Sequence, residues 1–216
     1  MASVARQPIP RQSDTSMRAT REPIRLLVVD DHEAVRAGLW ALLEDQQDFE
    51  VVAAVASGEA ALAIAECQPI DVAVVDYQLG GPNGLWVSRK LKRLAQPPAV
   101  LVYSAYADGL LAAGAVVAEA DGIVSKGGRG LDLCASIRVV ARGGTQLPPI
   151  PPWLGEALRC RFDEEEQAIF GMLLAGIGQE KIGEMLGLPA AGLESRLWAM
   201  LRRLEAPDHA ARRERV

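Results

Sequence analysis

From Ile24 to Ala141, short apolar runs alternate with amphipathic stretches. Ile24–Val29 reads as a buried strand. Glu33–Glu44 reads as a helix, because Val35, Leu39, Leu42 and Leu43 recur at helical spacing. Val51–Ala56, Val72–Asp76, Ala99–Tyr103 and Gly122–Ser125 repeat the strand pattern. Glu59–Cys67, Leu85–Leu94, Leu110–Ala118 and Leu131–Ala141 fill the gaps as helices. Leu85, Val87, Leu91 and Leu94 are the expected inward positions of the third helix. The fourth, Leu110–Ala118, has an apolar Ala/Gly/Val composition with little periodicity.

Strands that alternate with helices predict a parallel sheet covered on both faces. Right-handed crossovers leave few topologies. In such sheets ligands bind beyond the carboxyl ends of the strands. The pattern then changes. Gly143–Pro152 (GGTQLPPIPP) reads as an extended linker, because proline disfavours helix. After it only helical patterning remains, over Asp163–Ala175, Gln179–Leu186 and Ala190–Leu204. The turn Gly187-Leu188-Pro189 between the last two predicts a helix-turn-helix. Ile169, Leu173, Ile182, Leu186, Leu193, Leu197 and Leu201 are its expected core.

The expected organisation is a disordered tail over 1–22, an α/β domain over 23–143, a linker over 144–155, an all-α domain over 156–206 and a tail over 207–216. Residues 1–144 carry 14 basic and 17 acidic groups, and residues 145–216 carry 9 and 11. Neither half is basic, which argues against a strong non-specific grip on nucleic acid. Cys67, Cys134 and Cys160 have no metal-ligand spacing and read as reduced thiols. Residues 1–23 contain no secretory pattern, and no apolar run reaches the roughly 20 residues of a membrane span. A cytoplasmic protein with no membrane partner is expected.

The candidate chemistry sits at strand ends. Asp30 and Asp31 follow the first strand, and Asp76 ends the third. Ser104 follows the fourth and Lys126 the fifth. If the first, third, fourth and fifth strands lie side by side, these groups meet at one edge of the sheet. Three carboxylates repel unless a cation joins them. Mg²⁺ suits hard oxygen ligands and keeps waters. A carboxylate can attack phosphorus to form an acyl phosphate. Metal and lysine charges lower that barrier. The Ser104 hydroxyl can bond a phosphoryl oxygen, and the loop after Asp76 can offer a carbonyl to the metal. For Asp31 a second role is open, as cap of the helix at Glu33. His32 reads as a surface neighbour without chemistry of its own.

The order LLVVDDH, VAVVDYQL, LVYSA and GIVSK resembles the receiver domain of bacterial two-component response regulators over residues 24–143. The resemblance implies a five-stranded, doubly wound, flavodoxin-like sheet in the order 2-1-3-4-5. It implies Asp76 as phosphoacceptor, Asp30 and Asp31 as metal-binding acids, Ser104 as switch hydroxyl and Lys126 as the phosphate's partner. It also implies a sensor histidine kinase, or a small acyl phosphate, as donor. Two departures stand out. Ile123 occupies the usual aromatic position three residues before the lysine, with Tyr106 as a candidate replacement. GGPNG replaces the Met-Pro pair common after the phosphoacceptor. Tyr103 and Tyr106 are otherwise expected to serve core packing.

Residues 163–204 resemble the helix-turn-helix of regulators with LuxR-type (NarL/FixJ-like) output domains, and the last helix is also similar to that of sigma factors. The resemblance implies a transcription regulator. DNA reading needs basic or amide side chains at the start of the last helix. That helix has Pro189 in place of a capping Ser or Thr, Gly192 in place of Thr and Glu194 in place of Lys. Glu194, Ser195, Arg196, Arg202 and Arg203 are the candidate DNA contacts, with Arg212, Arg213 and Arg215 assisting. A phosphorylation-dependent homodimer would strengthen a weak monomeric grip. The alternative is a signalling adaptor whose helical domain binds protein, favoured by Glu194. An enzyme acting on an outside substrate is disfavoured, because Gln78 stands where a general acid two residues past Asp76 would be needed.

Overall fold

The computed structural model describes residues 22–105 and 108–204. Tyr106, the arginines at 212, 213 and 215, the expected C-terminal tail and all of the expected N-terminal tail but Glu22 lie outside the described residues. Five strands, β1 (Ile24–Val29), β2 (Phe49–Val55), β3 (Val72–Asp76), β4 (Ala99–Ser104) and β5 (Gly122–Ser125), form one parallel sheet in the order β2-β1-β3-β4-β5. The helices between and after them are α1 (Glu33–Glu44), α2 (Gly58–Cys67), α3 (Gly84–Leu91), α4 (Gly109–Val117) and α5 (Gly130–Val140). Four helices follow: α6 (Pro152–Arg159), α7 (Glu164–Leu174), α8 (Gln179–Leu186) and α9 (Ala190–Leu204).

Local chemistry sets the helix starts. Ser57, Asn83 and Asp108 each accept a bond from the third residue on, which satisfies an otherwise orphaned N–H at the first turns of α2, α3 and α4. Asp163 and Glu166 form a reciprocal capping box at α7. Asp31 does not cap α1. The cap position is His32, which makes no side-chain cap bond, and Asp31 turns to the imidazole. α6 was not among the expected helices. Proline at its first turn loses no bond, because N–H groups there have no intrahelical partner, so Pro152 starts the helix. Before it, Gln146 pairs with Gly122 and lengthens the edge of the sheet beyond β5.

One sheet face packs on α1 and α5 through Leu39, Leu43, Leu133 and Ile137. The other packs on α2 and α3 through Ala61, Val87 and Leu91. A third apolar cluster runs from Leu85 and Val102, through α4, into α6–α9. The expected core residues Ile169, Ile182, Leu193, Leu197 and Leu201 are buried in it, with Leu173 and Leu186 packed against them. The helical segment therefore shares its core with the α/β unit. This explains α4. A helix apolar all round needs cover on both sides, and α4 has β5 on one side and α7 and α9 on the other. Its small residues permit close approach: a Cβ on Gly114 would stand 2.5 Å from Leu85 Cδ1.

Candidate functional site

The carboxyl ends of β1, β3, β4 and β5 carry the polar side chains. Apolar strand residues hold the sheet interior, so the first carboxylates appear where the strands run out. Asp30 follows β1 with no exposed surface, and Asp76 ends β3 with 2%. Oxygens of Asp30, Asp31 and Asp76 and a nitrogen of His32 all lie within 4.8 Å of one another. Lys126 reaches in from beyond β5. Its Nζ stands 2.7 Å from Asp30 Oδ2 and 2.8 Å from Asp76 Oδ2. The Lys126 backbone N–H donates to the Ser104 carbonyl at 2.7 Å, which fixes where the lysine leaves the sheet. Ser104 is buried one residue past Tyr103, the β4 partner of Asp76.

Backbone groups complete the cluster. The His32 N–H donates to Asp30 Oδ1 at 2.9 Å, and the Gln78 N–H donates to Asp76 Oδ1 at 3.1 Å. Arg36 donates to the Asp30 carbonyl at 2.8 Å and ties α1 to the end of β1. The loop after Asp76 returns tightly. A Cβ on Gly84 would stand 2.3 Å from the Asp76 carbonyl oxygen, so only glycine lets α3 start there.

Burial pushes the Asp76 carboxyl above the usual carboxylate range; Lys126 opposes the shift and Asp30 adds to it. Burial works against the Lys126 ammonium, but Asp30 and Asp76 outweigh it and hold the lysine charged above its ordinary range. Three carboxylates against one lysine leave an excess of negative charge in a partly dehydrated place. That donor set of hard oxygens fits one small divalent cation. Among the described residues, no N–H or O–H besides the Lys126 ammonium meets Asp76 Oδ2.

His32 goes beyond its expected role as a surface neighbour, while Tyr103 packs on the core as expected and also approaches the site. His32 joins the cluster, its Nδ1 2.7 Å from Asp31 Oδ1, and its position directly after two aspartates is the signal that could have pointed to it. Tyr103 lies beside the lysine, with Nζ 5.5 Å from the ring centroid. Ile123 is half-buried and packs toward α4 and the helical segment.

The residues expected to contact DNA do not form one surface. Ser195 and Arg202 are exposed. Arg196 pairs with Asp163 at 2.7 Å and with Glu165, and Arg203 pairs with the buried Glu166. Glu194 faces the α/β unit and pairs with Arg89 and Arg93.

Comparison with known proteins bears on this geometry. Residues 26–138 match the response regulator receiver domain model. The chain is 29% identical over 191 residues to the response regulator UvrY of Escherichia coli K12, covering 84% of this chain and 88% of UvrY. A crystal structure of a LuxR-family two-component response regulator from Aurantimonas has a TM-score of 0.56 at 26% identity, covering 66% of this chain and all of that one. The RcsB–DNA complex, at 20% identity, shares the fold over 88% of this chain and 96% of RcsB, with a TM-score of 0.57.

Proposed function

Because the chain belongs to the response regulator receiver family and is a two-component response regulator, we propose that Asp76 is its phosphoacceptor and that Asp30, Asp31 and Asp76 hold Mg²⁺. It is not an enzyme beyond its own phosphotransfer. The observation that carries the proposal is the Lys126 ammonium lodged between Asp30 and Asp76.

In this reading an Asp76 oxygen attacks the phosphorus of a sensor kinase phosphohistidine or of a small acyl phosphate. The bond to the leaving group breaks, and its electron pair departs with that group. Lys126 is close enough to swing from Asp76 Oδ2 to a phosphoryl oxygen, which neutralises charge as it develops. The Ser104 hydroxyl, at the end of the neighbouring strand, donates to another phosphoryl oxygen. The Gln78 N–H holds Asp76 Oδ1, which leaves Oδ2 for attack. Bound Mg²⁺ would supply a Lewis acid that draws charge from the phosphoryl oxygens. The test is intact-mass analysis after acyl phosphate treatment with Mg²⁺. Wild type should gain one phosphoryl group, and Asp76→Asn should gain none. Equal labelling of both proteins would reject Asp76.

The expected linker over 144–155 ends early because α6 begins at Pro152, so in this reading a receiver over 23–143 is followed by a linker over 144–151 and an output unit that starts with α6, supported by the change from β–α alternation to helices alone. The output unit would regulate transcription by placing α9 on DNA, as a phosphorylation-dependent homodimer in the cytoplasm. Support comes from the fold shared with the DNA-bound RcsB and from the exposed Ser195 and Arg202. No helix among the described residues is long and apolar enough to cross a membrane. A second reading, an adaptor whose helical domain binds protein, is favoured by Glu194, which already engages protein. A salt titration on duplex DNA separates the two: absence of binding even at low salt selects the adaptor.

A further inference from the structure

The turn between α8 and α9 borders a cavity of about 1080 Å³, and none of its lining belongs to the acidic site. One face of α8 lines it, with Glu180, Gly183, Glu184 and Gly187 at helical spacing. Leu188, Pro189, Ala191 and Leu193, from the turn and the start of α9, line it with apolar surface. Gly187 helps keep the space open. Its positive φ of 66° ends α8, and a Cβ there would meet nothing within 4 Å. The volume exceeds the roughly 300–1,000 Å³ of small-ligand sites, so several residues of an extended chain fit.

Three features say what would fit there. The first is charge. Glu180, Glu184 and Glu194 line the cavity against one cation, Arg93. Arg93 and Glu194 are already engaged. Arg93 pairs with Glu119, and its Nε lies 3.5 Å from Glu194. Arg89 donates from Nε to Glu194 Oε1 at 3.1 Å and pairs with Oε2 through Nη2, while its Nη1 donates to the Val117 carbonyl at 3.0 Å. Glu184 has only the exposed Lys181, at 2.8 Å, and exposed pairs of this kind hold weakly. Glu180 is exposed and has no ion pair among the described residues. The uncommitted charge is therefore negative and sits on α8. The second feature is the apolar lining, which accepts apolar side chains. The third is Gln179, whose Nε2 is buried beside the cavity without an acceptor among the described residues. A buried donor without an acceptor is costly, and a carbonyl entering the cavity would complete it. One stretch of polypeptide offers a backbone carbonyl, a cationic side chain and an apolar side chain together. Nucleic acid offers phosphate, which the α8 carboxylates repel.

We propose that the cavity between α8 and α9 binds a basic, apolar peptide segment of a partner protein. Its cationic side chain lies against Glu180 and Glu184, and one of its backbone carbonyls accepts from the Gln179 amide. The proposal rests on the second reading, in which the helical domain binds protein, and gives that reading its surface and the chemistry of its partner.

The test selects a random peptide library on the full chain and measures the recovered peptides by fluorescence polarisation. They should combine Lys or Arg with large apolar residues. Glu180→Lys should weaken them about tenfold or more. Ala191→Trp fills the cavity from an exposed position and should weaken them about as much; if it does not fold, Ala190→Trp takes its place. Gln179→Leu should cost about threefold. Glu164→Lys makes the same charge change as Glu180→Lys on an exposed turn of α7 and should leave affinity at the wild-type value, which separates the cavity from the general pull of an acidic chain on basic peptides. Recovery of acidic or neutral peptides would overturn the proposal, as would equal losses in Glu164→Lys and Glu180→Lys. Peptides that bind but ignore Glu180→Lys and Ala191→Trp would overturn it too, while the adaptor reading survives with another surface. If no peptide is enriched the cavity proposal falls, and the salt titration on duplex DNA decides the adaptor reading separately. Duplex binding lost in Ala191→Trp, with no peptide enriched, would assign the cavity to nucleic acid instead.

Discussion

Two places in this molecule set cations among carboxylates, and they are built to opposite ends. At the carboxyl edge of the sheet, Asp30 and Asp76 hold Lys126 while Asp31 stands beside them against His32, so three carboxylates meet one lysine. At the junction of α3, α4 and α9, Arg89 and Arg93 meet Glu119 and Glu194, and the charges balance. In the proposed function the first place takes a divalent cation and offers an Asp76 oxygen to phosphorus, which its acidic donor set supports. The second is complete in itself and joins two parts of the chain. Charge excess marks a site that awaits a ligand. Charge balance around a fully buried arginine marks a contact already made. Removing one charge should therefore do different things at the two places.

The largest effect is expected on metal binding. Asp30→Asn should weaken Mg²⁺ by about 100-fold or more, since even outer partners of a metal site are worth 10–100-fold. Titration calorimetry measures it. The same substitution reduces repulsion around Asp76, so the metal-free protein should unfold at equal or higher denaturant concentration. A large loss of metal-free stability would break the comparison, because it would make the acidic site a structural contact like the other.

Glu194→Gln should behave the other way. It leaves Arg89 with Glu119 and a carbonyl but without its bidentate partner. Removing one member of a fully buried pair costs about 3–5 kcal/mol. Glu194 retains 29% exposure, so solvent screening reduces the expected loss to about 2 kcal/mol. Chemical denaturation checks it, and Mg²⁺ affinity should stay at the wild-type value. A shift in Mg²⁺ affinity would show that the two places are coupled in the resting chain.

Their physical link is α3, which starts against the Asp76 peptide and carries Arg89 about one and a half turns later. Gly84→Ala tests that link. Its Cβ would meet backbone, which cannot turn aside as Leu85 can at Gly114. Overpacking of this kind costs about 1–3 kcal/mol, and 1–2 kcal/mol is expected here. Unlike the other variants, it should disturb both places, with weaker Mg²⁺ binding and faster exchange over α9. An effect confined to the acidic site would show that α3 transmits nothing.

The two places differed just as much in how legible they were. The acidic site could be read because parallel topology brings residues at strand ends together whatever their separation in sequence. Asp30, Asp76 and Lys126 each follow an apolar run that ends where the sheet ends. The helix-turn-helix pattern followed from helical periodicity and a glycine turn, whereas the strand order came only from the resemblance to receiver domains. The junction has no such rule. Arg89 and Glu194 are 105 residues apart, and Arg89 sits among Lys90, Lys92 and Arg93, which suit an exposed helix face. Glu194 was conspicuous as a misfit for DNA, but nothing in the local pattern named its partner. The featureless apolar surface of α4 was the other trace, and it becomes informative only once α7 and α9 cover it. α6 was hidden by its prolines, which read as linker until one of them occupied a first helical turn.

The smallest effect should come from an ion pair that belongs to neither place and shows what exposure alone does. Arg25 and Asp71 form a bidentate pair at the opposite end of β1, with distances of 2.8 and 3.0 Å, and Asp71 also accepts the Arg25 backbone N–H at 2.8 Å. Both side chains are more than a third exposed, and such pairs contribute about 0–1 kcal/mol. The Arg25 bond holds the Asp71 carboxyl below its ordinary range, against a smaller opposing effect of burial. A carboxyl lowered by folding stabilises the protein above the unfolded value of about 3.9, and the contribution is lost as pH falls through the folded value. Asp71→Asn should therefore cost less than about 1 kcal/mol at pH 7, and its stability curve should meet that of wild type in acid. High salt should shrink the difference at pH 7, whereas the Glu194→Gln loss should persist in salt because Arg89 is closed to solvent. If both losses vanish in salt, the junction is an ordinary surface pair and the contrast between the two charge clusters reduces to their net charge.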